Sequence, residues 1–121
     1  MKVAAIALAV VMMGQTTVVQ YFRTGSTILK EVAQWEKYSR AENPDSLSDV
    51  TYFQGYVAGV LDAEGRRIRT PEGFTVDQAC GIVAKFLRDN PPRLHEPAAD
   101  LIKDALRKAY PGGGGSGSGR K

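Results

Sequence analysis

The segment "YFQGYVAGVLDAEGRRIRTPEGFTVDQ", residues 52–78, decides the fold, because it holds one helix, its end, a connection and the next helix start. Its first half has apolar side chains at the spacing of a broad helical face: Tyr52, Phe53, Tyr56, Val57, Val60 and Leu61. Gly65 is suited to end that helix, and Thr75 with Gln78 has capping-box spacing. Between them lie three arginines in four positions. We therefore predict a helical scaffold that holds a basic loop outward.

The same periodicity, followed outward from this segment, predicts four helices between residues 24 and 110. Turn-forming and helix-breaking residues separate them, as in the Asn-Pro-Asp and Asn-Pro-Pro sequences. The predicted spans are about 26–38, 49–63, 75–90 and 97–110. Strand-like alternation occurs only in the short run 17–22. The predicted fold class is all-α, a compact bundle of four main helices.

Two glycines, Gly55 and Gly59, lie within the second predicted helix. A glycine inside a helix costs about 1 kcal/mol relative to alanine. We interpret the pair as a place where another helix, from the same chain or from a second copy, approaches closely. The spacing of the nearby aromatic residues favours core positions over the rim of a binding surface: Tyr52, Phe53 and Tyr56.

Both ends of the chain have compositions that differ from the helical part. Lys2 precedes eleven apolar residues, 3–13, which is the pattern of a secretory signal peptide. This run is shorter than the roughly 20 residues of a membrane span. A buried N-terminal helix is the alternative. Residues 112–121, "GGGGSGSGRK", predict a disordered, flexible tail. The predicted organisation is therefore a signal peptide at 1–17, a helical domain at 18–111 and a tail at 112–121.

The charge of the predicted domain argues against a nucleic-acid partner. The formal net charge of the chain is +3, but residues 18–111 contain 13 Lys and Arg against 13 Asp and Glu. A nucleic-acid-binding domain carries a basic face that remains after its basic residues are counted against its acidic ones. Here the only cluster of basic residues is small: Arg66, Arg67 and Arg69.

Residues with the chemistry for catalysis or metal binding are few. The single histidine, His95, precedes a predicted helix start, where a surface or capping role is the simpler interpretation. The single cysteine, Cys80, falls in an apolar helical stripe and is interpreted as a small buried hydrophobe. One cysteine permits no intramolecular disulfide and no cysteine-based metal site. We therefore expect no enzymatic activity, no catalytic residue, no metal and no cofactor.

The connection at residues 64–74 is the candidate functional site. It is longer than most helix–helix connections, and arginine is enriched at protein interfaces because its planar fork binds carboxylates and stacks on rings. The functional interpretation is a protein-binding surface, and the alternative is a solvated loop without a partner. The nearby Asp62 and Glu64 are solvated helix-end groups or partners of the first two loop arginines. The candidate partner-binding residues are Arg66, Arg67, Arg69 and Glu72.

Four short motifs occur in order along residues 24–111. They are "GYVAG" at 55–59, "PEGFT" at 71–75, "NP" with "LH" and "PA" between 90 and 98, and "L…AL..AYP" at 101–111. In order and spacing the chain resembles the Rap/Tai family of immunity proteins of type VI secretion.

The resemblance implies a periplasmic, helical protein that is often a homodimer. Such a protein binds a peptidoglycan amidase injected by another cell and occludes its cleft. The chain departs from the family pattern, because cysteines usual before the Pro-Glu-Gly turn and after the last proline are replaced here. Arg69 or Thr70 and Gly112 stand near those places. Disulfides of that kind would contribute roughly 2–4 kcal/mol each.

A different class of function is a small periplasmic stress chaperone, or a general helical interaction module. A chaperone of this kind would suppress aggregation at low pH and not at neutral pH. An amidase-like reading frame beside the gene would instead favour the immunity function.

Overall fold

The computed structural model describes residues 22–114. The predicted signal peptide at 1–17 and residues 115–121 of the predicted tail lie outside this range. In the described part, every regular element is helical, which confirms the all-α bundle. One isolated antiparallel bridge joins Thr24 to Pro97, and of the strand-like run 17–22 only the last residue is described.

Within residues 22–114, four α-helices form the bundle, and their ends lie within two residues of the predicted ones. They are α1 (Gly25–Ser39), α2 (Leu47–Glu64), α3 (Val76–Asp89) and α4 (Ala98–Ala109). Short 3₁₀ turns follow three of the helices: Gly65–Arg67, Pro91–Arg93 and Pro111–Gly114. The last turn includes the first three residues of the predicted tail.

Helices α1, α2 and α3 begin where a local side chain satisfies a free backbone N–H group. Thr75 Oγ1 accepts a hydrogen bond from Gln78 N at 3.1 Å, and Thr75 N donates to Gln78 Oε1 at 2.8 Å, so the predicted capping box at α3 is present. Ser46 Oγ accepts from Asp49 N at the start of α2. These contacts explain why the helix starts were predictable from the sequence.

One hydrophobic core joins all four helices. Helix α1 packs on α2, and α4 packs on both α3 and α2. The edge of Trp35 meets the Phe53 ring with centroids 5.9 Å apart. Cys80 is fully buried, as its apolar stripe predicted. The largest side chains in the core are fully or almost fully buried: Phe53, Ile28, Leu87, Leu101, Ile102 and Leu106.

The aromatic residues of α2 do not all enter this core. Phe53 is fully buried, but Tyr56 is half-buried and Tyr52 is 46% exposed. Tyr52 stacks on Tyr56 with ring centroids 6.1 Å apart, and the Arg23 guanidinium lies 4.9 Å from the centre of the Tyr52 ring. The core prediction is wrong for Tyr52, because the neighbour on that side of α2 is a guanidinium.

The two glycines of α2 do not support a close helix contact within the chain. A Cβ placed on Gly55 or Gly59 would meet nothing within 4 Å, and both residues are exposed. The intramolecular part of the packing interpretation is therefore wrong. The other part, contact with a second copy of the chain, stays a prediction.

Close approach occurs instead at Gly25, the first residue of α1. A Cβ there would lie 2.7 Å from Leu101 Cδ1 and 3.0 Å from Leu94 Cα. Three backbone hydrogen bonds fix this contact, since residues 25 and 26 donate to carbonyls 96 and 94, and Ala98 N donates to the Arg23 carbonyl. The start of α1 is thereby joined to the start of α4.

Candidate protein-binding loop

The connection between α2 and α3, residues 65–74, is named the arginine loop below. It leaves α2 through Gly65, whose φ of +57° lies in the region that favours glycine. Ile68 is only 5% exposed and anchors the middle of the loop to the core. At the far end the Phe74 ring packs edge-on against Tyr110, with centroids 5.4 Å apart. The loop is therefore held by apolar contacts at its middle and at its far end.

The tip of the loop is the tight turn expected for Pro-Glu-Gly. Phe74 N donates to the Pro71 carbonyl at 3.1 Å, and Gly73 has a φ of +80°. Positive φ at the third residue of such a turn is typical of the type II turn, and glycine adopts it without strain. Glu72 lies exposed within this turn.

All four candidate residues of the loop are exposed: Arg66, Arg67, Arg69 and Glu72. Arg66 and Arg69 line the same shallow depression of about 410 Å³, together with the buried anchor Ile68. Arg67 and Glu72 lie outside this depression. Within residues 22–114, none of the four side chains makes an ion pair or a hydrogen bond.

The other arginines of the described chain behave differently. Five of the eight arginines between residues 22 and 114 pair with carboxylates of the same chain. The pairs are Arg23–Glu31, Arg40–Glu42, Arg88–Glu36, Arg93 with Glu96 and Asp104, and Arg107–Glu64. The three arginines without such a partner are the three on the loop. Their charges are therefore available to another molecule.

The carboxylate nearest the loop in sequence is occupied by a distant residue. Arg107 Nη2 donates to Glu64 Oε1 at 2.7 Å, and the Glu64 side chain is 10% exposed. The suggestion that Glu64 pairs with the loop arginines is therefore wrong, while Asp62 is exposed at the helix end. Sequence reasoning missed Arg107 because it lies 43 residues away, and no local pattern indicates which cation of α4 reaches α2.

The two other side chains with reactive chemistry, Cys80 and His95, have structural roles. Burial, with a smaller contribution from the negative charge of Asp77, raises the pKa of the Cys80 thiol to about 12. His95 is exposed, and its Nδ1 lies 3.2 Å from the Pro92 carbonyl oxygen. Among residues 22–114, no three His, Cys, Asp or Glu side chains are grouped to hold a metal ion. No helix in this range has the length and apolar character needed to cross a membrane.

Comparison with known proteins places the chain in a family. Searches of curated proteins and of solved structures gave no significant match. The family model described as Rap1a immunity proteins matches residues 16–112, which is 97 of the 121 residues. The match includes all four helices, the arginine loop and the four motifs on which the resemblance rests. The chain therefore belongs to the family of Rap1a immunity proteins.

Proposed function

We propose that this protein binds a type VI secretion effector with peptidoglycan amidase activity and occludes its cleft. Membership of the Rap1a family implies an immunity protein whose partner is an effector protein. The amidase is the effector class implied by the sequence resemblance to the Rap/Tai proteins. In this function the chain acts as an inhibitor, and its own residues bind the partner without taking part in a reaction.

The observation that carries the proposal is the charge state of the arginine loop. Arg66, Arg67 and Arg69 are exposed and lack a carboxylate partner in the described chain, whereas the other five described arginines are paired. Free guanidinium groups can form bidentate, charge-assisted hydrogen bonds to carboxylates of another protein. Glu72 adds an exposed hydrogen-bond acceptor on the same loop, so the surface can distinguish the orientation of a complementary partner.

The anchoring of the loop also favours binding. Ile68 and Phe74 fix its two halves against the core and against Tyr110. A loop ordered before binding loses less conformational entropy when the complex forms. The arginine loop is therefore a preorganised surface for inserting positive charge into an acidic or aromatic cleft.

We further propose that the protein acts in the periplasm, where an amidase meets its peptidoglycan substrate. The signal-like pattern of residues 1–17 supports export, and the family match begins at residue 16. The mature domain would then be residues 18–111, followed by the tail at 112–121. Fractionation of cells that express the chain with and without residues 1–17 tests this: only the longer form should reach the periplasm.

The loop can be tested by charge reversal against a peptidoglycan amidase effector of type VI secretion. The test variant carries Arg66→Glu, Arg67→Glu and Arg69→Glu. The control carries Lys30→Glu, Lys85→Glu and Lys108→Glu, three exposed positions outside the loop with the same change in net charge.

Calorimetry should show that the loop variant loses about 30-fold or more in affinity, since truncating or reversing central charged contacts typically costs about 2 kcal/mol or more. The control should lose only a few-fold, through weaker long-range attraction. Equal affinities for the two variants would remove the loop from the binding site. Failure of the wild-type chain to bind or inhibit the amidase would refute the proposed partner itself.

A further inference from the structure

A second surface feature lies between the end of α1 and the start of α3, and no residue of the arginine loop lines it. It is an open groove of about 810 Å³, named the Asp77 groove below. Two exposed apolar side chains line it, Tyr38 at 46% and Leu47 at 64% exposure. Trp35 and Pro44 also line the groove. Large apolar groups exposed together around a concave surface are typical of an interaction site.

The orientation of Asp77 is fixed by two neutral donors. Trp35 Nε1 donates to Asp77 Oδ1 at 3.0 Å, and Gln54 Nε2 donates to the same oxygen at 2.8 Å. The second carboxylate oxygen, Oδ2, has no hydrogen-bond partner or ion pair within residues 22–114. The groove therefore contains a positioned carboxylate whose charge no cation of the described chain compensates.

The lining of the groove has one sign of charge. Its two charged residues are Glu42 and Asp77, and none of its residues is basic. Glu42 already pairs with Arg40 at 2.9 Å, and this hydrogen bond lowers the pKa of Glu42. An anionic partner would be repelled here. A purely apolar partner would remove the water that hydrates the Asp77 carboxylate and would offer no hydrogen bond in its place. A cationic partner is the one that complements both the charge and the apolar walls.

The groove continues on the other side of Asp77. A second depression of about 390 Å³ shares Thr75 and Asp77 with the first and reaches Gly55, Ala58 and Val76. Val76 is a further exposed apolar side chain, at 39%. This arm is open because Gly55 has no side chain, and a Cβ there would meet nothing within 4 Å. An extended segment could therefore cross Asp77 and lie along both arms.

We propose that the Asp77 groove is a second docking site for a protein, which receives an extended segment that carries an arginine or a lysine. The cationic head pairs with Asp77 Oδ2, and the flanking residues pack on Tyr38 and Leu47 on one side and on Val76 on the other. This site has the opposite charge to the arginine loop, so it selects a different part of a partner's surface. It does not depend on the partner being an amidase.

Trp35 provides a direct readout of binding, because it is the single tryptophan of the chain and donates to Asp77. The probe is a blocked peptide of alternating leucine and alanine with one central arginine, compared with the same peptide carrying neutral citrulline. The arginine peptide should change the Trp35 emission and shift its indole N–H resonance, and should bind about tenfold more tightly than the citrulline peptide. Raising the salt concentration should reduce that preference.

Three variants make the test specific. Asp77→Asn keeps an oxygen acceptor for Trp35 but removes the charge, so it should abolish the preference for arginine over citrulline. Gly55→Leu places a side chain in the second arm, where its Cβ meets nothing within 4 Å, and it should weaken binding several-fold. The charge-reversed loop variant, Arg66→Glu, Arg67→Glu and Arg69→Glu, should keep the wild-type preference for arginine over citrulline to within a few-fold.

The proposal is overturned if neither peptide binds, if both bind equally, or if Asp77→Asn retains the preference. Because no effector enters this experiment, its failure is distinguishable from failure of the immunity function.

Discussion

At the scale of single residues, the glycines show how much the environment matters. Gly25 is in close contact with Leu101 and with the backbone of Leu94, whereas Gly59 has open space around it. Gly25→Ala should therefore lower the free energy of unfolding by about 1–3 kcal/mol through overpacking. Gly59→Ala should raise it by about 0.5–1 kcal/mol, because alanine is the better helix former.

Urea denaturation tests whether the free energy of unfolding falls in Gly25→Ala and rises in Gly59→Ala. Each variant is the control for the other. A loss of stability in Gly59→Ala, measured at a protein concentration that keeps the chain monomeric, would contradict the open surroundings of that residue. A loss seen only at high concentration would instead support contact with a second copy.

Cys80 gives a prediction about pH. Its pKa in the folded chain is raised to about 12 by burial, above the value of roughly 8.5 for an unfolded cysteine. The stability contributed by the neutral thiol is therefore complete below about pH 8 and falls as the pH rises toward 12, since only the unfolded chain releases this proton. The melting temperature should fall more steeply between about pH 8.5 and 10.5 in the wild type than in Cys80→Ala.

A thiol reagent provides an independent check on the same residue. At about pH 8 the folded protein should react only as fast as it unfolds, because the thiolate is the reactive form. Rapid labelling of the folded chain would show that Cys80 is accessible and would contradict its burial.

At the scale of elements, the sequence predicts what depends on neighbours along the chain. The stripe of α3 and the capping box of Thr75 and Gln78 are local patterns, and both are present in the structure. The chain folds as an all-α bundle because each helix carries such a pattern. The contacts that the sequence did not indicate join distant elements: Glu64 with Arg107, Gly25 with Leu101, and Trp35 with Asp77. Local spacing carries no information on which faces meet.

The candidate site follows the same rule. The length and composition of the connection predicted an exposed arginine loop, and the turn at Gly73 is where the Pro-Glu-Gly motif placed it. The sequence could not show that Glu64 pairs with Arg107 of α4 or that Asp77 lines a groove. Both features depend on tertiary packing. The contribution of the loop arginines to binding stays a prediction.

The anchor of the loop can be tested on its own. Ile68 is the loop residue that enters the core, so Ile68→Ala should lower the free energy of unfolding by about 2 kcal/mol, the low end for a buried isoleucine, since a loop can partly close the cavity. The freed loop should also be cut faster by trypsin after its arginines, because proteolysis requires local opening. Mass spectrometry of the first fragments measures this.

The conservative variant Ile68→Val serves as the control, with an expected loss of about 0.5–1.5 kcal/mol and little change in the cleavage rate. Cleavage of Ile68→Ala at the wild-type rate would mean that Phe74 and the turn hold the loop without this anchor.

At the scale of the whole molecule, the start of the described chain is joined to the start of α4 beside a buried ion pair. Glu31 on α1 is 3% exposed and pairs with Arg23, whose guanidinium also covers Tyr52 on α2. The carbonyl of Arg23 accepts from Ala98 N at the start of α4. Arg23, which precedes α1, therefore contacts three of the four helices and stabilises the bundle as a whole.

The contribution of the Arg23–Glu31 ion pair to stability can be measured by a double-mutant cycle. Arg23→Met leaves the Glu31 carboxylate buried without a cation, so it should cost about 3 kcal/mol, since an unpaired buried charge is far worse than a buried apolar pair. Arg23→Met with Glu31→Met should recover much of that loss, because it removes the uncompensated charge and retains apolar volume. Urea denaturation followed by Trp35 fluorescence and by circular dichroism measures each corner of the cycle, and coincident transitions support two-state analysis.

The exposed pair Arg40–Glu42 is the matched control and should show little coupling when both residues are changed to methionine. Equal coupling in the two cycles would show that the Arg23–Glu31 pair contributes no more to stability than an exposed ion pair does.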